Sequence, residues 1–183
     1  VISGDGASLL FDTNFQIISE ENKIIGAVSK GHYTGGNWSD SLNPNYELVF
    51  KGKIDLKNES VGLYASEGSR ILNDISGEIK IGEASVGMYA VNLTTSSEAL
   101  NRGKILLDGS ESSGLRADGT SLSVNTGTIN SLQDSSGNYY ENVQGIVVTT
   151  GASVENSGTI TLNGNNSVGI YNNSGNVDMT SGS

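Results

Sequence analysis

Residues 158 to 182 read GTITLNGNNSVGIYNNSGNVDMTSG, and the pattern that opens this stretch recurs through most of the chain at a nearly fixed interval. It runs Gly, Ile and Leu at offsets two and four, a polar break, Ser-Val-Gly-Ile-Tyr, a second polar break, and a return to Gly. Gly52-Ile54-Leu56 with Ser60 to Tyr64 is another copy, and Gly77-Ile79-Ile81 with Ser85 to Tyr89 repeats its spacing. Gly103-Ile105-Leu107 with Ser112 to Arg116 carries one extra residue, and Gly127-Ile129 with Gly145-Ile146-Val147 is stretched by an insertion. The opening glycines at 52, 77, 103, 127, 158 and 182 lie 25, 26, 24, 31 and 24 residues apart. Self-similarity at such a period is the signature of a solenoid, in which each repeat contacts its neighbours.

The local spacing selects the kind of solenoid. Helical repeats need apolar residues at intervals of three and four over ten or more positions. Here Ile54/Leu56 and Val61/Leu63 are two apart, within short runs bounded by Gly, Asn, Asp and Ser, which is the pattern of strands. A leucine-rich repeat would need a regular Leu lattice and a helical convex side, and neither is present. The spacing predicts an all-β right-handed parallel β-helix (β-solenoid) of about 24–26 residues per coil, with residues 52 to 183 forming five successive coils. Ile54, Ile79, Ile105, Ile129 and Ile160 should stack as one interior column. Each coil has two clear strands and a weaker third, at Leu122 to Val124, Ser153 to Glu155 and Val177 to Met179.

Aligning the copies separates two faces. Val61, Val86 and Val168 share a parity with Leu63, Met88, Leu115, Ile146 and Ile170, and with Ala65, Ala90 and Ala117, and are expected in the core. The other parity holds Ser60, Ser85, Ser112 and Ser167, glycines 62, 87, 114, 145 and 169, and Tyr64, Tyr89, Arg116, Val147 and Tyr171. It is expected to face out, as a file of tyrosines beside a shallow glycine groove. Tyr64, Tyr89 and Tyr171 are thus one candidate binding strip, although self-stacking explains them as well, and Arg116 and Val147 interrupt the file. Asn101, Asn125 and Asn156 recur two residues before an opening glycine, where stacked amides can bond from rung to rung. The copy before Gly77 departs, with Ile75 at that position and Asn73 two earlier.

The chain reads as a single segment, 1–183, with two insertions. Residues 1 to 50 keep the repeat faintly: Ile17/Ile18 and Ile25 to Val28 fit a degenerate coil, and Leu9-Leu10-Phe11 the end of another. Residues 29–47, SKGHYTGGNWSDSLNPNYE, form the first insertion and hold the only His, Trp and Pro. Residues 130–144, NSLQDSSGNYYENVQ, form the second. Long polar loops on a regular scaffold are where contacts concentrate, and large aromatics carry much of the energy of recognition. Tyr33, Trp38, Tyr46, Tyr139 and Tyr140 are therefore the first candidates for binding, with Tyr139 and Tyr140 projecting. The competing reading has the first three folding back onto the flank of the solenoid.

A net charge of −10 without a basic run argues against nucleic acid or anionic membrane as partner. No apolar run is long enough to span a bilayer. The chain does not open on a Met-initiated signal peptide and its last residues begin another turn, so it reads as a segment of something longer. The absence of cysteine locates nothing. Polysaccharide-cleaving β-helices need clustered carboxylates with a base or a cation on one face, whereas Asp55, Asp108 and Glu155 look scattered among the columns. His32 has no evident triad partner. Calcium nonapeptide, phosphate-loop and zinc-ligand spacings are absent, so the expectation is no enzyme, no catalytic or metal site and no cofactor.

The phrases Gly-x-Ile-x-[LI], Ser-Val-Gly-[ILM]-Tyr and Asn-[SRT]-Gly-[TK]-Ile, at residues 52 to 65, 77 to 90, 101 to 107 and 156 to 171, resemble passenger domains of large type V (type Va) autotransporter adhesins of the fusobacterial type. The resemblance runs from about Gly52 to the end. It implies a β-helical stalk at the cell surface, translocated through a C-terminal outer-membrane barrel that is not in this chain. It also implies adhesion to a protein or glycan on other bacteria or on host cells. A pure spacer that displays a distal adhesive tip is the alternative, and a polysaccharide-active enzyme a remoter one.

Overall fold

The computed structural model describes residues 2–5 (backbone only), 9–31, 46–92, 95–149 and 151–179. Twenty strands form three parallel sheets of seven, seven and six. The chain visits the sheets in rotation and advances one rung per circuit, as a parallel β-helix. One circuit is Val61–Ser66 in the first sheet, Arg70–Asn73 in the second and Glu78–Ile81 in the third, before Val86–Asn92 resumes the first. Five third-sheet rungs follow Gly52. The third strand of each coil, faint in the sequence, is regular: Leu122–Asn125 and Ser153–Asn156 pair in register with Glu98–Asn101 and Arg70–Asn73.

Register places Ile54, Ile79, Ile105, Ile129 and Ile160 opposite one another, and Ile17 extends the column by one coil at its N-terminal end. The middle members are fully buried, as are Leu56, Ile81 and Leu107 two residues on and Leu63, Met88, Leu115 and Ile146 across the core. The faint N-terminal repeat is therefore in phase with the body: Gln16–Ser19 and Ile25–Lys30 are third- and first-sheet strands, and Leu9–Phe11 is a second-sheet strand.

The corner between the third and first sheets departs from the expected parity. Lys23, Glu59, Ala84, Glu111, Asn142 and Asn166 all have positive φ, one in each of six coils, and turn the chain into the first sheet. The next residue is swung inward, so Ser60, Ser85 and Ser112 are buried instead of facing solvent. Their hydroxyls take up backbone groups: the Ser85 Oγ accepts from Ser60 N at 2.9 Å, and the Ser60 Oγ accepts from Ile24 N at 3.1 Å. Val61 and Val86, expected in the core, are only half-buried, and Val168 is exposed.

The glycine file also faces inward and forms no groove. A Cβ on Gly87 would lie 2.6 Å from the Gly114 carbonyl and 2.8 Å from the Ile105 Cγ2, and Gly62, Gly114 and Gly145 meet the next rung in the same way. Each glycine lets one isoleucine of the column below press against the backbone. Gly87→Ala is therefore expected to lose about 1–3 kcal/mol by overpacking. Gly169→Ala, where nothing lies within 4 Å, should stay within about 0.5 kcal/mol of the parent. Urea unfolding of both variants checks the contrast; equal midpoints would remove the glycine column from the packing argument.

Second-sheet register stacks Phe11, Phe50, Asn73, Asn101, Asn125 and Asn156. The four amides form a continuous chain of bonds, with Nδ2 donating to the next Oδ1 at 2.8 Å at each of three steps. Asn73 belongs to the ladder despite its shifted place in the sequence, because the turn to Gly77 holds two extra residues and turns Ile75 out to solvent, 77% exposed.

Candidate functional site

The second insertion is held by its own bonds. Residues 132 to 143 join Thr128–Ser131 of the third sheet to Gln144–Thr149 of the first. Asp134 Oδ1 accepts from the backbone N–H groups of Ser136 and Asn138, both at 2.8 Å, while Asp134 N donates to the Asn138 carbonyl at 2.8 Å. The Asn138 N–H, with the other donors of this knot, holds the Asp134 carboxyl below the usual carboxylate range. Gly137 supplies the left-handed residue of the turn, φ 84°, and an antiparallel bridge pairs Gln133 with Tyr139.

This knot forms one wall of a polar concavity of about 390 Å³. Gly137, Asn138, Tyr139 and Glu141 line it from the insertion, and Asn163, Gly164 and Asn165 from the corresponding turn of the following coil. The walls are tied together: Asn142 N donates to the Asn165 carbonyl and Asn165 Nδ2 to Glu141 Oε1, each at 2.9 Å. Gly164 has no room for a side chain, since a Cβ would sit 1.7 Å from the Tyr140 carbonyl. Tyr139 is 40% exposed at this site.

Tyr140 does not project as expected. It lies against the core, partly buried. Burial, followed by the negative charge of Asp108, raises its pKa above the ordinary phenol value. Asp108 and Asp55 are not scattered either: Lys80 Nζ stands between them, 3.3 Å and 3.0 Å from their Oδ2 atoms. Burial disfavours the charged amine, but the two carboxylates outweigh it and raise the Lys80 pKa. Among the described residues no group of three or more His, Cys, Asp or Glu side chains could hold a metal ion.

The tyrosine file follows the expected register, Tyr64, Tyr89, Arg116, Val147, Tyr171, with Val28 before it. It is not a flat strip. Tyr64 and Tyr89 meet edge to face at 80° with centroids 5.5 Å apart, and the Arg116 guanidinium lies 5.4 Å from the Tyr89 centroid. Tyr89 OH donates to Asp118 Oδ2 at 2.5 Å; Arg116 Nε, at 3.0 Å, and Thr149 Oγ1 donate to the same carboxylate. Burial, reinforced by the Asp118 hydrogen bond, pushes the Tyr89 phenol up to about 12. Burial also opposes ionisation of Asp118, but its donors prevail and lower its pKa. These side chains are committed to one another. Val147 is buried, and Tyr171 in the last described rung is 44% exposed.

Of the first insertion's aromatics, Tyr33 and Trp38 lie outside the described residues. Tyr46 folds back: its ring packs on Val49, Leu72 and Leu100, on the second-sheet face opposite the core, and its hydroxyl donates to Glu98 Oε1 at 2.9 Å. Burial, followed by the charge of Glu98, raises its pKa. Ser29 and Lys30 complete a first-sheet strand, and Glu47 is buried with its Oε2 accepting from Arg70 N at 2.6 Å. The site residues that sequence reasoning missed are Asn138, Glu141, Asn163 and Asn165. Their only signal was that the Asn163-Gly164-Asn165 turn falls one repeat after the insertion.

The chain was compared with known families, curated proteins and solved structures. The family model described as the BigA third pectate lyase-like domain matches residues 18–182. No curated protein and no solved structure matches. The match begins within Gln16–Ser19, the first strand of the third sheet, and takes in every later strand. By that match the chain belongs to the BigA third pectate lyase-like domain family.

Proposed function

We propose that the chain is a stalk segment of a surface-displayed adhesin, of the autotransporter-passenger type, whose coils are the scaffold and whose corner insertions make the contacts. The observation that carries this reading is how the side chains are divided. Those of the coils are used in the core, the amide ladder and the Tyr89–Arg116–Asp118 network, whereas the second insertion is folded by its own bonds and leaves Tyr139 exposed beside a polar concavity. In this reading the chain is not an enzyme, and the partner is a protein or glycan on another bacterial or host cell. Anchoring at the outer membrane falls to a barrel outside this chain; no helix among the described residues is long and apolar enough to cross a membrane.

Beads coated with the chain test the reading on epithelial and bacterial cells. Adhesion is expected, and replacing residues 132 to 143 by a short Gly-Asn turn should reduce it sharply. Adhesion that survives replacement of both insertions would leave the chain a spacer for a distal tip. Turnover of acidic or neutral polysaccharides by the chain would overturn the non-catalytic reading.

A further inference from the structure

We infer that the concavity between the second insertion and the turn at Asn163 to Asn165 is a binding site for a neutral saccharide. The inference rests on the adhesive reading and gives it a site. Its volume, about 390 Å³, lies within the range of small-ligand pockets, about 300–1,000 Å³. Its lining is three asparagines, one carboxylate, one tyrosine and two glycines. A carboxamide both donates and accepts, as a sugar hydroxyl does, so a wall of amides pairs with a ring of hydroxyls, and the Glu141 carboxylate adds an acceptor. The exposed Tyr139 ring offers a surface for the C–H face of a pyranose.

Charge narrows the class. No Lys or Arg lines the space, Glu141 does, and the chain carries a net −10, so sialylated, sulfated or uronic sugars would meet repulsion. A basic peptide would want more than one carboxylate, and Glu141 Oε1 is already taken by Asn165 Nδ2, which leaves Oε2 as an acceptor. The walls are set before a ligand arrives. The Asp134 knot fixes the insertion, and the Asn142–Asn165 and Asn165–Glu141 bonds fix it against the coil below, so little ordering entropy is lost on binding.

The test is an array of neutral hexose and N-acetylhexosamine oligosaccharides, their sialylated and sulfated counterparts, and a lysine-rich peptide, probed with the chain and its variants. Neutral glycans should bind, and Tyr139→Ala and Asn163→Ala should each weaken binding about tenfold. Tyr139→Phe should retain it, and Tyr64→Ala should leave it unchanged. Both pocket side chains are exposed, so unchanged melting temperatures accompany the expected losses. The inference is overturned if no neutral glycan binds, if Tyr139→Ala and Asn163→Ala bind as the parent does, or if only the peptide binds and Glu141→Gln abolishes it. Bead adhesion with the same proteins separates the two levels. A parent chain that holds cells but binds no neutral glycan sinks the pocket and leaves the adhesive role, whereas one that binds glycans but no cells sinks the adhesive role alone.

Discussion

Ile105→Asn is expected to lose about 5 kcal/mol. Removing a fully buried branched aliphatic side chain costs roughly 2–5 kcal/mol, and an amide without partners adds about 1–3 kcal/mol. Ile105 is fully buried, with Ile79 and Ile129 in register on either side and Gly87 pressed against its Cγ2. In a solenoid each coil is held by its neighbours, so a defect in a central rung weakens both interfaces at once. Tyr89→Ser, in the same pair of coils, should cost about 1–2 kcal/mol, since it gives up an edge-to-face ring contact, a cation contact and one hydrogen bond on the outer face. Denaturant midpoints of the two variants decide the matter. Equal losses would mean that the isoleucine column is not the centre of the core.

The isoleucine column was legible because each coil repeats it at the same offset from a glycine, and strand stacking converts a repeat offset into a spatial column. The same logic gave the amide ladder from Asn101 onward. It failed at Asn73, because two extra turn residues moved the glycine and not the asparagine. Strict alternation failed at the corner, where left-handed residues at 59, 84 and 111 and a glycine at 62, 87 and 114 turn serine and glycine inward together. Alternation describes an extended strand, and these positions lie where the chain is still bending. The candidate site was half legible. The insertion and Tyr139 stand out as a break in the repeat, whereas Tyr140 packs back against the core and the opposite wall comes from an ordinary turn one coil on. Nothing in a linear sequence marks Asn163 as facing Tyr139 until the stacking register is known.

The amide ladder makes a prediction with a pH signature. Asn101 has no exposure; it accepts from Asn73 Nδ2 and donates to Asn125 Oδ1, each at 2.8 Å. Asn101→Ala strands the buried acceptor Asn125 Oδ1, weakens the bonding of Asn73 Nδ2 and leaves a gap, and should cost about 2–4 kcal/mol. Asn73 Nδ2 keeps only long contacts to the Gly77 and Lys104 carbonyls, at 3.5 Å and 3.4 Å, and Asn125 Oδ1 loses its donor. Asn156→Ala, at the other end, breaks one ladder bond and should cost less. Asn101→Asp keeps the shape and changes only the proton inventory. As a carboxylate it accepts from Asn73 but turns a negative oxygen on Asn125 Oδ1 where both side chains are fully buried, so burial raises its folded-state pKa. Protonated, it donates to Asn125 and restores the ladder. A group whose folded pKa is raised contributes stability that is present below its unfolded value, about 3.9, and lost as pH rises through the folded value. Asn101→Asp should therefore lie close to the parent near pH 4 and fall progressively below it toward neutrality, whereas the deficit of Asn101→Ala stays constant. Unfolding measured from pH 4 to pH 8 separates the two. A pH-independent deficit in Asn101→Asp would show that the amides are stacked without being bonded.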